Sequence, residues 1–168
     1  MNVFHFFFDA SALAKRYTPE TGTDTIDVIF DNVSFERLMC SAIGALEVFW
    51  ICVRKRNDGR INARDFSQAT LYFRQEVLAA GSDFQTLSTS ESNLQLPMTF
   101  IEVHAINSTD ALVLASALEV AQRLRTVGDD LVLVASDQRL LRAAQAEGLS
   151  SFNPETDSRQ ALASFIEG

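Results

Sequence analysis

The sequence predicts an α/β protein: one three-layer α/β/α domain over residues 1–168, built around a central, mainly parallel sheet. Three observations predict it. Two short segments, VFHFFF from Val3 and LVLVAS from Leu131, are apolar at almost every position, as strands covered on both faces are. Between and after them run segments with apolar residues at helical spacing. No internal repeat, low-complexity tract or linker breaks the alternation.

The elements follow in order. VFHFFF is the first strand and stops abruptly on Asp9, at the threshold of the core, where charge is costly. A short helix starts at about Ser11. In TPETGTDTIDVIFDNV, Ile26, Ile29, Phe30 and Val33 share a face of a second helix. RLMCSAI is a short strand ending near Cys40 or Ser41. An amphipathic helix runs from Ile43 to about Lys55, and NDG ends it. INARDFSQATLYFRQEVLAAG is a further helix stopped by Gly81, and DFQTLS is a strand. In SESNLQLPMTFIEVHAINS, Pro97 suits the first turn of a helix reaching about His104. STDALVLASALEVAQRLR is a strong helix with Ser108 or Thr109 as its cap. LVLVAS follows, then the helix DQRLLRAAQAEG ended by Gly148. SSFNP is a last short strand, and the tail to Gly168 is a final helical turn or two.

Composition narrows the function classes. A chain of 168 residues can bury a sizeable core, and a 47% hydrophobic content fits a compact protein rather than disorder. Most of the thirteen phenylalanines belong in that core. A net charge of −8 argues against a general nucleic-acid binder, which is usually basic, yet suits carboxylates gathered around a cation. The N-terminus lacks a basic leader and its apolar run is cut by Asp9, so no signal peptide is read. No stretch nears the roughly 18 apolar residues of a membrane span. Cys40 and Cys52 lack CxxC or metal-finger spacing and sit among apolar residues. They read as reduced core cysteines of a cytoplasmic protein.

Four carboxylates stand in unusual places. Ligands of open α/β sheets bind outside the carboxyl ends of the strands, and Asp9 and Asp137 stand at two such ends. The plain alternative for each is a helix cap. Glu47 lies on the stripe Ile43, Leu46, Trp50 and Ile51 of its helix, an expensive position unless the carboxylate is paired or bound to metal. Asp110 sits in the first turn of a nearly all-apolar helix, where it could serve only the helix dipole. Four acids aimed at one region repel each other and need a cation or retained protons. Oxygen donors without histidine or thiolate favour Mg²⁺ or Mn²⁺, which suits phosphate-ester chemistry.

The segments FFFDASALAKRY, SAIGALEVFW, STDALVLASAL and LVLVASDQRLLRAAQAEG resemble, in order and spacing, those of a PIN domain, over Val3 to about Pro154. They look most like the VapC-type toxins of toxin–antitoxin pairs. The resemblance implies an acidic, metal-holding quartet of Asp9, Glu47, Asp110 and Asp137, with the hydroxyls of Ser11 and Ser136 beside it. It implies a PIN-like fold and a Mg²⁺- or Mn²⁺-dependent endoribonuclease acting on RNA phosphodiesters. It also implies a cognate antitoxin and a homodimer. The chain departs from the pattern after Asp110, where ALVLA stands in place of the ALHLA of many relatives, and Ser88–Asn107 fits only loosely.

Bases stand out in RKRNDGRINAR. Arg54, Lys55, Arg56, Arg60 and Arg64 are candidate RNA contacts, or a solvated helix end complementing the dipole. Lys15 and Arg16, about a turn after Asp9, are candidates to meet a phosphate or plain surface residues. His5 and His104 read as structural. The rival reading is a catalytically inactive interaction module on the same fold. A haloacid-dehalogenase-type phosphatase is disfavoured because Ser11 stands where its second aspartate would be. A receiver domain is disfavoured because Asp137 follows LVLVAS, and no GxGxxG supports a dinucleotide enzyme.

Overall fold

The computed structural model describes residues 3–88 and 94–168. Five strands form one sheet: β1 (Phe4–Phe8), β2 (Leu38–Ser41), β3 (Gln85–Leu87), β4 (Asp130–Val134) and β5 (Ser150–Phe152). Their spatial order is β3-β2-β1-β4-β5 and every pairing is parallel. Phe6 stands beside Leu38 on one side and Val132 on the other, which fixes β1 at the centre. Parallel neighbours require crossovers, and eight α-helices appear among the described residues: α1 (Ala10–Tyr17), α2 (Thr23–Asn32), α3 (Ala42–Asn57), α4 (Ala63–Phe73), α5 (Gln95–His104), α6 (Ser108–Arg125), α7 (Gln138–Ala146) and α8 (Arg159–Glu167). A 3-10 turn at Phe35–Arg37 precedes β2, and α4 runs on into a π-helical segment at Arg74–Leu78.

The alternation of β1 explains its composition. Phe6 and Phe8 point into a cluster with Leu13, Ile26, Ile29, Val48 and Phe73, whereas Phe7 points into a second cluster with Phe100, Leu114, Leu133 and Leu140. Both faces are therefore buried, and a strand with two buried faces has no polar positions to spare. The two clusters are the two helical layers of an α/β/α sandwich. Ile26, Ile29, Phe30 and Val33 do face the core together. Phe165 of α8 sets its ring edge-on to Phe4, with centroids 5.0 Å apart, so the tail is a nine-residue packed helix rather than a turn or two.

Two further expectations are corrected. The cap of α6 is Asn107, not Ser108 or Thr109: its Oδ1 accepts the Asp110 amide at 2.9 Å, and asparagine caps as well as serine. The stripe that placed Glu47 against the core is split: Ile43 and Ile51 pack against the core clusters, but Leu46 and Trp50 do not. Leu46 and Trp50 are 68% and 57% exposed, while Gly44, Ala45, Val48 and Cys52 form the buried side of α3. Of the loosely fitting Ser88–Asn107 region, residues 89–93 lie outside the described residues.

Candidate functional site

The sheet order reverses direction around β1: one crossover leads to β2 and a later one to β4. The crevice beyond the strands opens at such a switch point. Asp9 follows β1 there and Asp137 lies just beyond β4. Both are also helix N-caps, so the plain reading of each acid is true as far as it goes. Asp9 Oδ2 accepts the Ser11 amide at 3.0 Å and the Ser11 hydroxyl as well. Asp137 Oδ1 accepts the amides of Arg139 and Leu140 at 2.8 and 3.1 Å. Its Oδ2 accepts nothing from another described residue.

Asp9, Glu47, Asp110 and Asp137 line a single cavity of about 240 Å³, with Ser11, Trp50 and Arg54 on its wall. Glu47 arrives from α3, which follows β2. Asp110 comes from the first turn of α6, where Asn107 Nδ2 donates to its Oδ2 at 2.8 Å while taking its amide in return. The chain thus spends four different element starts or faces to bring four acids to one opening.

The acids feel one another. Burial pushes the Glu47 carboxyl up to about 7, helped by the charges of Asp9 and Asp110. Asp110 is pushed up to about 6 by burial and by Asp9 and Asp137, with Arg139 opposing. Asp9, only 4% exposed, is raised by burial against the lowering effect of its bonds from Ser11. Mutual repulsion of this kind is relieved either by retained protons or by a bound cation.

A hard divalent cation fits the donor chemistry, since every donor is an oxygen. The Ser136 hydroxyl, next to Asp137, is buried and finds no hydrogen-bond partner among the described residues. Its amide donates to the Ser11 hydroxyl at 2.9 Å, tying the starts of α1 and α7 together. Among the described residues no three His, Cys, Asp or Glu side chains stand close enough to make a ready-formed metal site.

No family model matches the chain, and no curated protein does. Solved structures do. FitAB bound to an IR36 DNA fragment superposes with a TM-score of 0.65 at 16% identity, covering 92% of this chain and 98% of that one. PAE2754 from Pyrobaculum aerophilum gives 0.61 at 18% identity, over 98% and 97%. FitAcB from Neisseria gonorrhoeae gives 0.59 at 17% identity, over 89% and 97%. The chain shares their fold, a PIN-like three-layer α/β/α sandwich.

Within this PIN-like fold the basic candidates separate. Arg54 lines the carboxylate cavity. Lys15 and Lys55, candidates for either a nucleic-acid contact or a solvated surface, are instead 3% and 6% exposed. Lys15 Nζ lies 3.1 Å from Glu20 and 2.5 Å from Glu155, and Lys55 Nζ lies 2.7 Å from Glu20 and 2.8 Å from Thr18 Oγ1. Arg16 is held by Asp27 and Glu76 and lines a different cavity. Arg56 covers the Phe66 ring at 4.3 Å, Arg60 pairs with Asp58, and Arg64 is exposed. Neither histidine reaches the carboxylates: His104 pairs with Glu147 at 2.7 Å, and His5 lies 3.6 Å from Asp129.

Sequence reasoning missed Trp50 as a wall of the site, although it stands one turn beyond Glu47 on the same helix. It also missed Arg139, whose charge acts on Asp110, and Arg142, which lines with it and His104 a second cavity of about 510 Å³. Their spacing from Asp137 carries no signal until α7 has a direction. Among the described residues no helix is long and apolar enough to cross a membrane.

Proposed function

We propose that the chain is a Mg²⁺- or Mn²⁺-dependent endoribonuclease that hydrolyses RNA phosphodiester bonds and serves as the toxin of a toxin–antitoxin pair. The observation that carries this reading is the meeting of Asp9, Glu47, Asp110 and Asp137 in one cavity at the switch point of a PIN-like sheet. Asp9, Asp110 and Asp137 would hold the cation, with Ser11 and Ser136 orienting that shell. When bound, such a cation polarises a phosphate oxygen and lowers the pKa of water. Glu47, with its carboxyl near neutrality, would either share in holding the ion or orient the attacking water and take its proton.

The antitoxin follows from the resemblance to VapC-type toxins; of the similar structures, FitAB is bound to a DNA fragment. An antitoxin arginine entering the carboxylate cavity would make charge-assisted bonds there. A homodimer completes the proposed assembly.

Calorimetric titration of Mn²⁺ into the wild type, Asp9→Asn and Glu47→Gln tests the centre. Binding that weakens sharply in both variants, with RNA cleavage abolished in both, is the expected result. Binding indifferent to both changes would leave the acids as caps, and an inactive interaction module on the same fold would take the place of the enzyme.

A further inference from the structure

A chain of net charge −8 has to attract a polyanion locally if it binds one at all. Much of its positive charge is committed elsewhere: Lys15, Arg16 and Lys55 as described, and Arg60, Arg125 and Arg159 to neighbouring aspartates. Arg54, Arg139 and Arg142 differ. Each is exposed, and none of their guanidinium groups makes a hydrogen bond or ion pair to another described residue. Arg54 stands on the wall of the carboxylate cavity. Arg139 and Arg142, one turn apart on α7, line a second cavity, and Arg139 lies near enough to Asp110 of the carboxylate cavity to oppose its charge. Because α3 follows β2 and α7 follows β4, the uncommitted guanidinium groups sit on either side of the central Asp9.

Trp50 supplies a second, independent feature. Its indole is 57% exposed and lines the same cavity, one turn from both Glu47 and Arg54. A large ring left in water at the mouth of a charged cavity can take a flat partner on its face.

We propose that Trp50, Arg54, Arg139 and Arg142 form the track of a single, unpaired nucleic-acid strand across the carboxylate cavity, one base stacking on Trp50 and flanking phosphates meeting Arg54 on the α3 side and Arg139 and Arg142 on the α7 side. A duplex keeps its bases stacked inside and has none to offer Trp50. Unpaired arginines on both sides of the cavity favour a polyanion over an apolar protein surface, which would need only Leu46 and Trp50. The inference rests on the ribonuclease reading for the placement of the scissile phosphate, but the strand track is testable by binding alone.

Trp50 is the only tryptophan of the chain, so its fluorescence reports on this site directly. An unstructured RNA of about 12 nucleotides is titrated into the full chain with Ca²⁺ as the divalent ion, alongside the same strand annealed to its complement. Affinity is read in parallel by anisotropy of the labelled strand. The single strand is expected to quench Trp50 to saturation and the duplex not to. Trp50→Ala should weaken binding about ten-fold. The double variant Arg139→Gln, Arg142→Gln should weaken it and flatten the log–log salt dependence by about 0.7 for each phosphate left without its arginine. Arg123→Gln, on the far end of α6, should change neither. Thermal melts matched to the wild type confirm folding of each variant.

Strand binding without quenching, or binding indifferent to Trp50→Ala and to the double arginine variant, would overturn the track. So would fluorescence that changes only with protein concentration, which would give the Trp50 face to a second copy of the chain. Quenching by the strand with no cleavage in Mn²⁺ would instead refute the ribonuclease reading and leave the track standing.

Discussion

The Ser136 amide donates to the Ser11 hydroxyl at 2.9 Å, and that hydroxyl donates in turn to Asp9. Residues 125 positions apart are thereby locked into one short chain of bonds that ends on a buried carboxylate. Ser11→Ala breaks the chain at its middle. Stability should fall by about 1 kcal/mol. If Asp9 holds a cation, Mn²⁺ affinity should fall about 10- to 100-fold, as it does when the groups behind a ligand are removed. Chemical denaturation and calorimetry check the two figures separately.

The acidic cavity makes the metal-free protein sensitive to pH in an uncommon direction. Glu47 and Asp110 titrate near 7 and 6 in the folded chain, above their ordinary 4.5 and 3.8. Between those limits the native state holds more protons than the unfolded chain, so stability rises as pH falls. In EDTA the Tm should therefore rise on going from about pH 8 to about pH 5.5. Glu47→Gln should flatten that slope, and saturating Mn²⁺ should raise the Tm most at the alkaline end. A Tm that falls steadily on acidification over this range would contradict the electrostatic account.

Glu20 joins two buried lysines, Lys15 at 3.1 Å and Lys55 at 2.7 Å. Its own pKa is lowered, burial being outweighed by the hydrogen bonds and charges of the two lysines. Glu20→Ala would leave Lys55 with only Thr18 and should cost about 2–4 kcal/mol. Denaturant midpoints measure this. Mn²⁺ affinity, measured on the folded variant, should stay unchanged, since none of these groups lines the carboxylate cavity.

Both thiols should be silent. Burial pushes the Cys40 thiol up to about 12, and Cys52 is raised as well. Thiolate is the reactive form, so iodoacetamide should label neither residue in the native protein and both after unfolding. Mass spectrometry of the two states decides.

Much of this architecture was legible in the sequence because burial on two faces leaves a plain mark. VFHFFF and LVLVAS read as sheet-centre strands for the same reason that Phe6, Phe7 and Phe8 are fully buried. The four acids were legible as exceptions to that mark, each at the edge of an apolar run. The orientation of α3 was not, because its buried side sets the small Gly44, Ala45 and Cys52 around Val48, while the large side chains Leu46 and Trp50 lie outside. Lys15 and Lys55 misled for a related reason. A lysine reads as a surface residue until the partners that neutralise it are known, and Glu155 is 140 residues from Lys15.

Asp9 and Asp137 hold the starts of α1 and α7 as well as facing the cavity. This double duty governs how an inactive form of the protein should be made. Replacing either by alanine removes a helix cap along with the carboxylate, at about 1 kcal/mol each, so an inactive variant of that kind would be confounded by a loosened fold. Asparagine caps as well as aspartate and takes away only the charge. The asparagine variants thus test the carboxylates with the scaffold intact.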